Sequence, residues 1–156
     1  MAIMSEPLLS FAHQDGPLVF RVKRSVYCLT PEGQFSCSIE CDANPAHDFM
    51  SEPCFCFMRC PVGTPSLSPG TVLRIDHRPG ERDDFDLPST HLYAGSHFDP
   101  WAATVEVLAL EAGAANVAIN FMTDDPNYYG ALAKPTPCSC TVWLQQVSVD
   151  QVRDLM

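Results

Sequence analysis

The stretch from Thr104 to Met122, TVEVLALEAGAANVAINFM, constrains the fold more than any other part of the chain. Val105, Val107 and Ala109, then Val117, Ile119 and Phe121, fall at alternate positions, the period of a half-buried strand. Between the two runs, Glu111 to Ala115 carries Gly113, which reaches positive φ without steric cost and suits a bend. Leu108, Leu110, Ala118 and Met122 are apolar as well, so the expectation is a hairpin covered on both faces and lying centrally. Ala, Leu and Glu are good helix formers and make a long helix the competitor. The paired Val and Ile runs about the Gly-Ala-Ala-Asn break favour the hairpin.

Alternation recurs along the chain. Leu18 to Thr30 places Leu18, Phe20, Val22, Val26 and Cys28 on one face, with Arg24 breaking the parity as a bulge would. Pro31-Glu32-Gly33 is turn chemistry, and Gln34 to Cys41 returns with Phe35, Cys37, Ile39 and Cys41 inward. Cys54 to Cys60 sets Cys54, Cys56, Met58 and Cys60 against Phe55, Phe57 and Arg59. Shorter strands are expected at Pro7 to Ala12, Thr71 to His77 and Ser89 to Tyr93, and a last one at Cys138 to Val147. Ser148 followed by Gln151 resembles a capping box and predicts a short C-terminal helix.

Fourteen prolines lie in the connections, where they interrupt regular structure and favour many short strands. No crossover helix for a parallel sheet is found. The prediction for residues 1–156 is one all-β domain of about eight to ten strands. An antiparallel β-sandwich with a short C-terminal helix fits best, and a closed barrel is second.

Nineteen acidic against nine basic residues give a net charge of −10, which repels phosphates and argues against nucleic-acid or anionic-membrane partners. It suits a basic protein or a cation. No stretch approaches the roughly 20 apolar residues of a membrane span, and MAIMSEPLLS lacks the basic and apolar regions of a secretory signal. A cytoplasmic protein is expected.

Eight cysteines stand at Cys28, Cys37, Cys41, Cys54, Cys56, Cys60, Cys138 and Cys140. Zinc wants four ligands in a tetrahedron, usually from two C-x2-C knuckles, and these are absent. Each cluster is in register with the apolar residues of its strand, so reduced core thiols are expected. Disulfides inside a C-x-C pair are disfavoured, because strand neighbours at i and i+2 lie near the upper separation limit.

Three other groupings carry chemistry. His97-Phe98-Asp99 has the H-x-D form of an iron facial triad, which needs a later histidine; none follows His97. His77, His91 and Glu106 would have to complete a metal set with His97 and Asp99. Asp83, Asp84, Asp86, Asp99, Asp124 and Asp125 offer the flexible carboxylates that calcium wants, although such residues are also ordinary turn formers. Tyr93, Phe98, Trp101, Tyr128 and Tyr129 place aromatics in or beside loops, where amphipathic rings either fold over a core edge or make protein contacts.

No G-x-S-x-G elbow and no G-x-x-x-x-G-K loop is present. With no catalytic set completed, binding is favoured over catalysis. The sequence reading is an immunity- or adaptor-like protein that meets a basic partner through Tyr93, Phe98, Trp101, Asp124, Asp125, Tyr128 and Tyr129, and needs no cofactor. A zinc, iron or calcium protein using His77, His91, His97 and Asp99 is the alternative. A structural homo-oligomer is the third.

Overall fold

The computed structural model describes residues 6–78 and 88–153. Ten strands form one sheet: β1 (Leu8–Phe11), β2 (Leu18–Leu29), β3 (Gln34–Cys41), β4 (Cys54–Pro61), β5 (Val72–Ile75), β6 (Ser89–Tyr93), β7 (His97–Phe98), β8 (Trp101–Glu111), β9 (Ala114–Thr123) and β10 (Thr136–Gln146). The helix α1 (Val149–Arg153) follows. Among the described residues no helix is long and apolar enough to cross a membrane.

In space the strands run β5-β8-β9-β10-β1-β2-β3-β4-β6-β7. The neighbouring ladders are antiparallel, and β10 also meets β2 in parallel at Gln145 and Gln146 opposite Val26 and Tyr27. Two layers face each other, as a sandwich requires, yet one hydrogen-bonded sheet runs through both and leaves β5 and β7 as open edges. Phe55 of β4 stacks on Phe121 of β9 with centroids 4.1 Å apart and rings 4° from parallel. Phe11, Phe20, Phe35, Phe57, Ile119 and Leu144 fill the same core. Each such side chain contributes about 1.5–3 kcal/mol on burial.

The β8–β9 hairpin forms as its alternation requires, with Gly113 at φ +75° in the turn. Val105, Val107, Val117, Ile119 and Phe121 are buried. The expectation that its second face is also covered is corrected. β8 and β9 are interior strands, but Leu108 is exposed, and a register slip between Val107 and Ala109 breaks the expected parity, setting half-buried Ala109 opposite Asn116 and exposed Leu110 opposite Ala115 near the turn.

Register slips also switch side-chain parity in β2 and between β3 and β4. β2 slips register against β3 between Val22 and Arg24; the slip sends Tyr27 into the main core and turns Val26 and Cys28 to the opposite face. The prediction that Val26 and Cys28 share a face with Leu18 and Phe20 fails for that reason. In β4, Phe55 and Phe57 enter the core, whereas Cys56 and Met58 turn outward. A slip between Phe35 and Cys37, opposite Arg59 at φ +58°, then returns Cys60 to the core side.

The outward group of Val26, Cys28, Cys56 and Met58 is covered by α1 through Val152, itself fully buried. Gln151 Oε1 accepts from the Ser148 N–H at 3.1 Å, so the capping box holds the helix in place. The sheet thus has a second, smaller core on one outer face.

Candidate functional site

The segment from Asp124 to Pro135, joining β9 to β10, is built around a single carboxylate. Asp125 Oδ1 accepts from the backbone N–H of Asn127 and of Tyr128, each at 2.9 Å. His13 Nε2 donates to the same oxygen at 2.8 Å. Oδ2 accepts from the Lys134 N–H at 3.1 Å and from Gln14 Nε2 at 2.5 Å. Gln14 Nε2 also reaches the Leu132 carbonyl at 2.9 Å. His13 Nδ1 accepts from the Asp15 N–H at 3.3 Å, so the ring sits as its Nε2–H tautomer, with both nitrogens satisfied.

Burial alone would push the Asp125 carboxyl upward. The N–H groups of Asn127, Lys134 and Tyr128, together with His13, outweigh it and hold the acid well below the usual carboxylate range. Asp125 is therefore the anchor of the loop. The sequence reading counted it among the contact residues, and at 6% exposure it does not reach the surface.

Tyr128 closes over this anchor. Its ring stacks on His13 at 5.6 Å and 12°, and its hydroxyl donates to Asp15. That bond raises the phenol above its ordinary range. Tyr129, the next residue, is 89% exposed, and Leu132 is 68% exposed. One tyrosine folds back over the core edge and its neighbour points outward.

The loop between β6 and β8 meets this segment. Ser96, His97, Phe98 and Asp99 on one side and Asp124, Tyr128, Tyr129 and Lys134 on the other enclose an open cleft of about 390 Å³. Arg78 lies 3.8 Å over the Trp101 ring and 3.2 Å from Asp124 Oδ1, a cation–π contact joined to an ion pair. Tyr93, also exposed, meets His97 edge-on at 5.2 Å. Phe98, Trp101, Asp124, Tyr128 and Tyr129 are thus gathered at one end of the sheet, with Tyr93 at its margin.

The histidines are dispersed. His77 Nε2 lies 2.7 Å from the Pro88 carbonyl. His91 of β6 stands opposite Cys56 of β4, and burial, then the charge of His97, lower its pKa. His97 and Asp99 are exposed on the cleft rim. Among the described residues no three His, Cys, Asp or Glu side chains gather to hold a metal ion. Asp83, Asp84 and Asp86 lie outside the described residues. Glu106 is on β8, opposite Val72 and Ala118.

Sequence reasoning missed His13 and Gln14 as loop anchors, because 112 and 111 residues separate them from Asp125. Leu132 and Lys134 were missed too, having no local pattern. A second hollow, about 1060 Å³, opens beside the stretch where β2 and β10 close together beyond β1, lined by Arg24, Asn116, Trp143 and Gln145 among others. Ser25 Oγ donates to the Trp143 carbonyl at 2.7 Å beside it.

No family model, curated protein or solved structure matches the chain.

Proposed function

We propose that this chain is a non-catalytic protein-binding module, immunity- or adaptor-like in character, that docks a basic partner with the loop end described above. One observation carries the reading: a loop pinned by five hydrogen bonds to Asp125 presents Tyr129 and Leu132 almost uncovered. A rigid loop loses little entropy on binding, and an exposed Tyr beside an aliphatic residue is the composition of an interface anchor. Asp99 and Asp124 rim the cleft, and the chain's charge of −10 speeds encounter with a basic surface. The setting is cytoplasmic, where its eight cysteines stay reduced.

The test is paired capture from the source cells, with wild type and Tyr129→Ala/Leu132→Ala as baits, followed by reconstitution with each purified candidate. The double variant leaves Asp125 and its donors in place. A basic protein that binds wild type and loses about 30-fold or more in affinity to the variant, roughly 2 kcal/mol, supports the reading. Equal binding to both baits, or an acidic partner, overturns it. Self-association abolished by the variant would replace it with a homo-oligomer built on the same patch.

A further inference from the structure

Cys54 and Cys56 lie two residues apart on the outward face of β4, packed with Val26, Met58 and Val152. Cys56 is buried, whereas Cys54 is the one cysteine of the eight that is not. The Cys56 thiol donates to the Cys54 sulfur, so the two side chains already converge. We propose that this pair is a binding site for a soft monovalent cation, copper(I) in particular.

Two sulfurs on one strand face offer the two-coordinate, thiolate-rich setting that a closed-shell monovalent ion accepts, and soft thiolates select copper(I). Zinc requires four ligands and calcium six to eight oxygens, which this strand face does not supply. Copper(I) would take the place of the proton that Cys56 directs at Cys54. The Cys54 thiol gives up its proton as well, so binding releases two protons to solvent and leaves two anionic sulfurs about one cation.

One buried neighbour suits a metallated sulfur. Ser38 of β3 stands opposite Cys56, and its Oγ is fully buried with no hydrogen-bond partner among the described residues. A buried hydroxyl left idle is costly. A metallated Cys56 sulfur gives it an acceptor and makes Ser38 an outer-shell support. The helix α1 covers Cys56 through Val152. Cys54 supplies the entry side.

The experiment titrates the full-length reduced protein with copper(I) under argon against a competing chelator, reading retained metal by native mass spectrometry and proton release by a pH indicator. Wild type is expected to retain one equivalent with release of protons. Cys54→Ser and Cys56→Ser are each expected to retain none, while Cys60→Ser, in the main core, keeps the equivalent. Ser38→Ala should weaken retention without abolishing it. Circular dichroism checks each fold, and half-exposed Cys54→Ser suffices if Cys56→Ser does not fold. Wild type that yields its copper to the chelator, or a folded Cys54→Ser that keeps it, overturns the proposal.

Discussion

Asp125 uses its acceptor capacity inside its own loop, and that makes it the residue whose loss the structure feels most at the binding end. In Asp125→Asn an amide N–H₂ replaces one of two oxygens that receive only donors, so a donor would face donors. The expected cost is about 2–4 kcal/mol, read as a lower urea midpoint at pH 7. The pH dependence follows in sign. The folded carboxyl is held below its unfolded value of about 3.9, so its contribution is complete above that value and is lost as pH falls below it. Wild type should therefore lose stability between about pH 4 and pH 3 more steeply than Asp125→Asn; parallel curves would show that the carboxylate charge is not what the loop requires. A second prediction belongs to Ala102, exposed at φ +51°. A Cβ in the left-handed region costs about 1–2 kcal/mol, and the flexibility of Gly returns part of that. Ala102→Gly is expected to raise the urea midpoint by an amount worth about 0.5–1 kcal/mol. Neither residue's role was legible in the sequence. Asp124-Asp125 reads as surface acid because its true partners, His13 and Gln14, are distant in the chain, and Ala102 carries no local mark of a positive φ.

The helix α1 and the outward face of β2, β3 and β4 form the element on which sequence reasoning did both best and worst. Ser148 and Gln151 announced the helix, since a cap is local and its residues are adjacent. The face it covers stayed hidden. Alternation assigns Val26 and Cys28 to the face of Phe20 unless a one-residue slip intervenes, and Arg24 marked a bulge without saying which half it would turn. Likewise Cys56 and Phe57 are both apolar, so the pattern of β4 did not rank its two faces until a helix was seen to cover one of them. This yields a prediction at the scale of the element. Val152→Ala removes two methyls from a fully buried site and should cost about 1–2.5 kcal/mol by lost burial and cavity. Because the loss falls on one short helix, local opening should precede global unfolding. Cys28 and Cys56 are then expected to react with a thiol reagent several-fold faster than in wild type under native conditions, while Cys37 and Cys140 in the main core keep their protection. Equal acceleration at all four would mean that α1 is not a separate cover.

At the scale of the whole molecule, β1 decides whether two layers behave as one body. Only four residues long, it pairs with β2 on one side and β10 on the other, and beyond it β2 and β10 meet directly for only two residue pairs. Leu9 and Phe11 are fully buried in the core that both layers share, and Phe11 meets Phe20 edge-on at 5.7 Å. Strand existence was legible for most of this fold, because alternation and proline placement are local. The joining of the layers into one sheet was not, since a four-residue run such as Leu8–Phe11 does not reveal how many neighbours it pairs with. Phe11→Ala should cost about 3–5 kcal/mol, a large share of the roughly 5–15 kcal/mol that a domain of this kind holds. If the core that the layers share makes them one cooperative unit, the variant unfolds earlier but in a single step. Tryptophan fluorescence from Trp101 and Trp143 reports the β8–β10 layer, and the exposure of Cys37 in the main core reports the β3–β4 layer. The two probes should give coincident urea midpoints in wild type and in Phe11→Ala. Midpoints that separate in the variant would show that the layers are independently stable and that β1 only tethers them; coincidence at a lower midpoint assigns the cooperativity to the core the layers share.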